Sequence, residues 1–440
     1  MASPFAAVDA AVAAFAQEQQ IPGLAAGIVQ GGRLVHATTV GLADIEGSRP
    51  VAAGTAFRIA SMTKNMTALA ILALRDQGRL ALDAPLSTYV PQFAAVAPAT
   101  SDSPPVSLRH LLTHVAGFVT DDPWGDRVLG MTPAKLDALI GRAITNVSGM
   151  PYQTYIRRTI LEPLGMRRTT FDAIEASRGD YAWGYRLDDG AWSRERIEPD
   201  GEVGAMGGLA TTAPDYARYI AFLLSAWPPR DDPESGPVRR LSVREMGLWH
   251  APPHADDPNR PSPPGAYGYG LNNAADAELG RRLHHAGGLP GYGSHVLMIP
   301  DKGVGVFAFG NRTYAPMSRL TLQLATILHP SLPKPKVATS PYLERAVEAV
   351  MAAYVAGDIA AARHAFAVNF LLDMPARPRN AELASLKLRL GEGRLEKIEP
   401  VHVLGGCFTL ACERGRLKAT IILSPDAEPG IQKLTFTVEE

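Results

Sequence analysis

The sequence predicts a mixed α/β fold in which helices flank an antiparallel sheet with an inserted all-α lobe, followed by a small C-terminal α+β domain. Strand-like runs near the start are separated from later ones by a mostly helical stretch, about residues 80–265, and a helical pattern stands at each end. A proline-rich segment then precedes a second set of helices and strands. The predicted parts are a first domain at 1–330, a linker at 331–341 and a second domain at 342–440.

The first domain is expected to open with an amphipathic helix over 3–19, where Ser3 and Pro4 precede apolar residues at helical spacing. Gly31-Gly32 then predicts a hairpin between runs 24–30 and 33–40. A helix from Ser61 to Gly78 is apolar nearly all round, which predicts burial. The remaining elements are expected as helices at 151–161, 214–224 and 317–328 and as strands at 267–272, 282–285, 294–299 and 303–309.

In the second domain, helices are expected before a curved meander of strands. This order resembles cystatin-like and NTF2-like modules, a likeness that says nothing about role. Cys407 and Cys412 fall on one strand-like run, about 16 Å apart on opposite faces, so two buried free thiols are predicted rather than a disulfide. The expected helices are 341–356 and 358–367, and the expected strands are 383–390, 394–404, 406–413, 416–424 and 431–438.

Composition limits the partners of the chain. The 440 residues carry a formal net charge of -1, which argues against nucleic acid or an anionic membrane surface. No apolar run approaches the roughly 18 residues of a membrane span. The N-terminal residues lack the pattern of a signal peptide, but a mature form whose leader was removed would look the same. A cytoplasmic and a periplasmic location therefore both stay open.

The strongest chemical pattern lies in Phe57-Arg-Ile-Ala-Ser61-Met-Thr-Lys64. A serine and a lysine three residues apart on a helix project from the same face. A serine hydroxyl needs a base to become a nucleophile, and lysine can serve once burial or a neighbouring cation lowers its pKa. The free N–H groups at a helix start also favour an anion developing on a substrate. Ser61 and Lys64 are therefore candidates for a nucleophile and its base.

The same spacing recurs at Ser331-Leu-Pro-Lys334. Pro333 prevents a regular helix there, so the serine and lysine side chains cannot align as they do on a helix. This second match shows that the Ser-x-x-Lys spacing alone does not identify a nucleophile and its base. For the first match an alternative also stays open, in which Ser61 only caps a helix and Lys64 is a solvated first-turn residue.

Further stretches occur in the order known from one family. They are Gly78-Arg-Leu-Ala-Leu-Asp-Ala-Pro85, Leu108-Arg-His-Leu-Leu-Thr-His-Val-Ala-Gly117, Ile160-Leu-Glu-Pro-Leu-Gly-Met166, Gly207-Gly-Leu-Ala-Thr-Thr-Ala-Pro-Asp215 and His285-Ala-Gly-Gly-Leu-Pro-Gly291. With the Ser61 motif, they resemble the serine β-lactamase-like superfamily, in the branch of class C β-lactamases, D-peptidases and family VIII esterases. The resemblance covers about residues 20–328 and implies a β-lactamase/transpeptidase-like fold.

By this resemblance, Ser61 is the acylated nucleophile and Lys64 is its base partner. The oxyanion hole would consist of the backbone N–H groups of Ser61 and Gly288. The resemblance thus implies a serine hydrolase that works through an acyl-enzyme.

The stretch His285-Ala286-Gly287 matches the third motif of the family, on a strand beside the cleft, where relatives carry Lys-Thr-Gly or His-x-Gly. His285 would be catalytic, and Ala286, Gly287 and Tyr292 would contact the substrate. Histidine carries less charge than lysine at neutral pH, which favours a peptidase or esterase over a lactamase. A purely structural His285, hydrogen-bonded within its strand, is the alternative.

The second motif of the family, Tyr-x-Asn, has no match where the resemblance places it. Residues 132–138 read Thr-Pro-Ala-Lys-Leu-Asp-Ala, and 139–149 resembles the helix that follows the motif. Three explanations stay open: a segment omitted from the sequence, a natural or engineered deletion, or another group that shuttles the proton. His285 and Tyr292 are the candidates for such a group.

Other patterns are weaker. His110 and His114 have the spacing of zinc-binding helices but lack the glutamate of His-Glu-x-x-His and a third ligand. The glycine-rich stretch 288–293 contains proline and opens no helix, which disfavours phosphate binding. No Gly-x-Ser-x-Gly is present, which argues against an α/β-hydrolase. The sequence therefore predicts neither a metal nor another cofactor.

Together these features predict a serine hydrolase that cleaves small esters or peptide bonds, including those of D-amino acids, without separating the two. The alternatives are a catalytically impaired relative that binds a ligand or partner through the C-terminal domain, and a weak β-lactamase. The C-terminal domain could cover the cleft, mediate self-association or only add stability.

Overall fold

The computed structural model describes residues 3–96, 100–118, 127, 129, 139–201, 203–252, 265–332 and 337–439. The chain divides into two units, Met1–Pro333 and Lys334–Glu440. The predicted fold class, a mixed fold with a large antiparallel sheet and flanking helices, is confirmed in the first unit. None of the described helices is long and apolar enough to cross a membrane.

The first unit is built on an eight-stranded antiparallel sheet. Its strands, in spatial order, are β3 (Arg49–Pro50), β2 (Arg33–Asp44), β1 (Gly23–Gln30), β12 (Val304–Gly310), β11 (Tyr292–Ile299), β10 (Gly280–Leu289), β9 (Asn272–Asp276) and β8 (Gly265–Tyr267). The hairpin predicted from Gly31-Gly32 joins β1 to β2, and both glycines have positive φ. On its other side β1 pairs with β12, so the two ends of the unit meet in the middle of the sheet.

Helices cover both faces of this sheet. Alternate β1 residues divide between two apolar cores: Leu24, Ala26 and Ile28 belong to one, and Ala25 and Val29 belong to the other. The first core includes residues of α1 and α10, and the second includes residues of α2 and α8. The helices are α1 (Phe5–Glu18), α2 (Thr63–Asp76), α3 (Leu108–Leu112), α4 (Leu139–Ser148), α5 (Tyr152–Ile156), α6 (Ala173–Ser177), α7 (Gly204–Gly207), α8 (Ala213–Leu224), α9 (Arg240–Met246) and α10 (Met317–Leu328).

The lobe between β3 and β8 is mostly helical, but the expectation of an all-α insertion is wrong in detail. A hairpin of β5 (Tyr185–Asp188) and β6 (Ala191–Arg194) turns at Asp189-Gly190, where both residues have positive φ. Short strands β4 (Phe57–Arg58) and β7 (Ala210–Thr211) also pair. The strand expected at 267–272 is divided between β8 and β9, because the chain turns through Gly270 at φ +68°.

The helix expected at 151–161 is also only partly regular. It is α-helical over α5 and continues as a π-helical turn, Arg157–Leu161. By contrast, α2 matches its prediction: Leu69, Ile71 and Leu72 are completely buried. A helix apolar on all sides lies inside the protein because no polar face is available to meet water.

The second unit combines helices with a four-stranded antiparallel sheet. Residues 383–390, expected as a strand, are the end of a helix. In that helix Leu383 and Leu390, seven residues apart, are buried, whereas Leu388 is exposed and imitates the alternation of a strand. The elements are α11 (Pro341–Ala356), a 3₁₀ helix (Ile359–Ala365), α12 (Phe370–Asp373), α13 (Ala376–Leu390), β13 (Gly393–His402), β14 (Gly405–Cys412), β15 (Gly415–Leu423) and β16 (Ile431–Glu439).

The two cysteines agree with their prediction in being free, but both are half-buried rather than buried. Cys407 and Cys412 lie on β14 and are both free thiols. Residues 358–367, expected as an α-helix, are mostly the tighter 3₁₀ helix instead.

Candidate active site

The segment around Ser61 connects β4 to α2. Ser61 lies in a 3₁₀ turn, Ala60–Met62, that leads directly into the helix. Ala60 has φ +48°, a backbone conformation that costs energy for any residue with a Cβ atom. Hydrogen bonds hold the strained turn in place: Ile59 N donates to Leu209 O at 3.0 Å, and Ser294 Oγ donates to Ile59 O at 2.7 Å.

The predicted nucleophile and base are in contact. Lys64 Nζ donates to Ser61 Oγ at 2.7 Å, and both residues are half-buried. The same amine also donates to Met206 O at 3.4 Å. Because an unprotonated amine can accept a hydroxyl proton across this distance, the pair has the geometry that general-base activation requires.

Strand β10 brings the third motif beside this segment. Gly287 pairs with Ser294 of β11, and a Cβ atom at 287 would overlap both Ile59 O and Ser294 Oγ. Glycine is therefore required where the strand passes the turn that carries Ser61. The described pairing of β10 with β9 ends at His284, so His285 onwards has a β-partner only on the β11 side among the described residues.

His285 is buried, and both of its ring nitrogens are engaged. Nδ1 lies 2.6 Å from Ala286 O, an acceptor, so Nδ1 carries the proton and Nε2 accepts from the Tyr267 hydroxyl at 3.1 Å. Burial, with a smaller effect from the Lys64 charge, lowers the pKa of His285 to about 3. His285 is therefore neutral at physiological pH, and this geometry leaves it no nitrogen with which to shuttle a proton.

Tyr292 is similarly committed to the protein interior. Its hydroxyl lies 2.9 Å from Ala182 O and 2.9 Å from the Tyr181 hydroxyl, and burial raises its pKa well above the ordinary range. It packs in a small apolar cluster with Ala60 and Leu289, next to the nucleophile turn. This geometry disfavours both roles predicted for Tyr292, substrate contact and proton transfer. It favours a structural role, in which Tyr292 packs against the turn that carries Ser61.

Two other candidate residues, Ala286 and Gly288, lie beyond His284, where β10 no longer pairs with β9 in the described part of the chain. Ala286 is exposed, and Gly288 lies beside the half-exposed Tyr314, whose ring would be 2.6 Å from a Cβ atom at 288. Tyr314 has φ +50° and was not selected from the sequence. Only its position shortly after the predicted strand 303–309 could have drawn attention to it.

Residues 132–138, where the second motif was sought, lie outside the described residues. The pair His110 and His114 does not form a zinc site in the described part of the chain, where no group of three or more potential metal-ligating side chains is found. His110 instead belongs to a capping box at the start of α3, its Nδ1 accepting from Ser107 N at 3.2 Å. His114 stacks on Tyr267, with ring centres 4.4 Å apart.

A family model described as Beta-lactamase matches residues 8–328. The chain belongs to this family. Protein Rv1367c of Mycobacterium tuberculosis is 28% identical over 313 residues, which cover 58% of this chain and 76% of that protein. Esterase EstB of Burkholderia gladioli is 28% identical over 212 residues, 40% of this chain and 54% of the esterase.

Among solved structures, the octameric penicillin-binding protein homologue from Pyrococcus abyssi superposes with a TM-score of 0.62 at 22% identity. The match covers 98% of this chain and 95% of that chain. The fold is therefore that of the beta-lactamase-family serine hydrolases, as the sequence motifs predicted. The family membership supports hydrolase chemistry and does not specify a substrate.

Proposed function

We propose that this member of the beta-lactamase family is a serine hydrolase that forms an acyl-enzyme on Ser61. The contact that supports this proposal is the 2.7 Å hydrogen bond between Lys64 Nζ and Ser61 Oγ. In the proposed reaction the unprotonated amine takes the hydroxyl proton while Oγ attacks the substrate carbonyl. The alcohol or amine leaves with a proton from the lysine, and water then cleaves the acyl ester.

The oxyanion of the tetrahedral intermediate is proposed to bind between the backbone N–H groups of Ser61 and Gly288. Two features support this assignment. The 3₁₀ turn places Ser61 at the start of α2, where N–H groups lack helical acceptors. Gly287 lies against Ile59 and Ala60, which brings its neighbour Gly288 toward the same turn.

Small neutral esters are the proposed substrate class, with peptides second and β-lactams third. His285 occupies the third-motif position and is neutral because burial lowers its pKa to about 3. It therefore supplies no positive charge for the carboxylate of a β-lactam or of a peptide C-terminus. The similarity to Esterase EstB supports esters as a candidate substrate class.

The direct test is reaction with a fluorophosphonate probe and with p-nitrophenyl butyrate, in parallel with the Ser61→Ala variant. The proposal expects labelling and a burst of nitrophenol that both vanish in the variant. Nitrocefin and a D-alanyl peptide, tested on the same samples, rank the substrate classes. Labelling that persists in Ser61→Ala would reject the nucleophile, and faster turnover of nitrocefin than of the ester would reject the substrate order.

A second candidate is a ligand-binding relative without turnover, because no Tyr-x-Asn is present before Leu139. In that case neither the probe nor the ester reacts with folded protein. Self-association is a further proposal for this chain, since the Pyrococcus abyssi homologue is described as octameric.

A further inference from the structure

Asp200 is a carboxylate that the proposed mechanism does not use. It lines a cavity of about 440 Å³ together with Gln153, Arg157 and Asp172. Gln153 Nε2 donates to Asp200 Oδ2 at 2.7 Å, and the Tyr152 hydroxyl lies 3.3 Å from Oδ1. Both partners come from the start of α5, so this helix fixes the position of the carboxylate.

The carboxylate rests directly against α7. A Cβ atom at Gly204 would overlap Asp200 Oδ1, and a Cβ atom at Gly208 would lie 2.6 Å from the same oxygen. The Tyr152 hydroxyl donates to Gly201 O at 2.7 Å, which holds the chain between the acid and the helix. Gly204 and Gly208 are therefore needed to leave room for the carboxylate. The carboxylate in turn fixes α7, which begins at Gly204 and ends just before Gly208.

The residues between these glycines contact α2. Thr67 Oγ1 donates to Ala205 O at 2.6 Å, and Lys64 Nζ donates to Met206 O at 3.4 Å. Two consecutive carbonyl groups of α7 thus accept from side chains one turn apart on α2. A shift of α7 would move the acceptor that holds the Lys64 amine next to Ser61.

We propose that Asp200 is a positioning residue for Lys64. Its ionised carboxylate, bound by Gln153, fixes the Gly204–Gly208 segment, and this segment presents the Met206 carbonyl to the lysine amine. The inference rests on the proposed function for its catalytic consequence, since it concerns the base of that reaction. The structural part, that the carboxylate immobilises α7, stands without catalysis.

The ionisation of Asp200 falls in an accessible pH range. Burial raises the pKa of its carboxyl group to about 6, with opposing contributions from Gln153, Tyr152 and the Arg58 charge. Protonation removes the charge that strengthens the hydrogen bond from Gln153, so the carboxyl group, still buried, holds α7 less firmly as pH falls through about 6. The charged or titratable groups that face Asp200 are Tyr152 from α5, Arg58 from β4, and Arg157 and Asp172 across the cavity.

The raised pKa also predicts the sign of the effect on stability. Because the carboxyl group has a pKa of about 6 in the folded protein and an ordinary pKa of 3.8, its ionised form destabilises the fold at neutral pH. Replacing Asp200 by asparagine should therefore leave the melting temperature at pH 8 unchanged or raise it.

The test compares kcat/KM for p-nitrophenyl butyrate in wild type and Asp200→Asn between pH 5 and pH 8. At pH 8 the wild type is expected to be about tenfold faster, because the variant imitates the protonated acid. Toward pH 5 the ratio should fall to about one, since both proteins then carry a neutral group, and titration of Lys64 itself cancels in the ratio. Asp172→Asn is the matched control, an acid lining the same cavity, with an expected ratio near one throughout.

Two further measurements keep the inference falsifiable. Gln153→Ala removes a donor to the carboxylate without changing charge, so it should move the acid limb of the wild-type profile to higher pH. Amide hydrogen exchange at pH 8 should be faster in residues 203–209 of Asp200→Asn, and this holds even if no substrate is turned over. A ratio that is constant from pH 5 to pH 8, or unchanged exchange in this segment, would overturn the proposal; absence of ester turnover in wild type would overturn only the proposed function.

Discussion

Two segments of the chain share the pattern Ser-x-x-Lys and differ in almost everything else. At Ser61 the serine precedes a buried helix, and the lysine amine lies 2.7 Å from its hydroxyl. At Ser331 the hydroxyl donates back to Leu328 O at 2.7 Å, within a short 3₁₀ turn, His329–Ser331. Lys334 lies outside the described residues. The comparison shows what the first segment adds to the spacing: a helix that aligns the two side chains and a strand that passes beside them.

The largest expected effect comes from replacing the two serines, Ser61 and Ser331, by alanine one at a time. Ser61→Ala should lower kcat for p-nitrophenyl butyrate by about 10⁴-fold or more, because the acyl acceptor is lost. Ser331→Ala provides the matched control and should retain wild-type kcat and fluorophosphonate labelling. Comparable losses in the two variants would remove the distinction between the segments.

Lys64→Arg tests whether the Lys64 amine acts as a base or only supplies a positive charge. Arginine keeps the positive charge but cannot lose its proton at working pH, so kcat should fall by about 10³-fold. The melting temperature, measured by calorimetry, should stay close to that of wild type. Retention of more than a tenth of the wild-type kcat would mean that the lysine acts electrostatically and that another group takes the proton.

The strand beside the first segment, β10, can be tested through two of its glycines, Gly287 and Gly288. Gly287→Ala places a methyl group onto Ile59 O, a backbone atom that cannot move aside cheaply, and about 10²-fold of kcat/KM should be lost. Gly288→Ala meets the ring of Tyr314, which is half-exposed and can rotate, so its loss should be much smaller. Equal losses, determined by steady-state kinetics, would show that close approach of the strand to the turn is unimportant.

The smallest expected effect concerns the neutral histidines near the first segment. Burial lowers the pKa of His284 to about 4 and that of His285 to about 3, whereas an unfolded histidine binds a proton below about 6.5. The stability that depends on their neutrality is therefore complete above pH 6.5 and is lost as pH falls, by about 2 kcal/mol per histidine at pH 5.

Urea unfolding of His285→Gln at pH 8 and pH 5 checks this effect. The variant should lose about 2 kcal/mol less than wild type between the two pH values, because one buried neutral histidine is gone. An identical loss in both proteins would show that His285 is not held neutral beside Lys64.

Much of the fold was predictable because local patterns and tertiary burial agree. The hairpin at Gly31-Gly32 and the all-apolar helix α2 are examples in which turn chemistry and hydrophobicity point to the same element. The run 383–390 was mistaken for a strand because exposed Leu388 creates a false alternation, and exposure depends on contacts that a local pattern does not contain. The hairpin at Asp189-Gly190 was missed although its turn residues were visible.

At the site, the sequence was sufficient to predict contacts between residues close together along the chain. It was insufficient to predict contacts between residues on separate elements. Ser61 and Lys64 are one turn apart, so their contact follows from helix geometry. Tyr267 fixes the ring of His285, and Asp200 rests against α7, through contacts between separate elements. Neither residue belongs to a motif, so only the assembled structure shows what each one touches.

The pairing of β1 with β12 has a consequence for the biosynthesis of the protein. Leu24 pairs in register with Gly310, and the strand that flanks Ser61 comes only at residues 280–289. A nascent chain therefore contains Ser61 and Lys64 long before the strand that flanks them, and its sheet keeps an open edge until translation passes β12. Such distant pairing slows folding and leaves the growing polypeptide dependent on protection from aggregation during that interval.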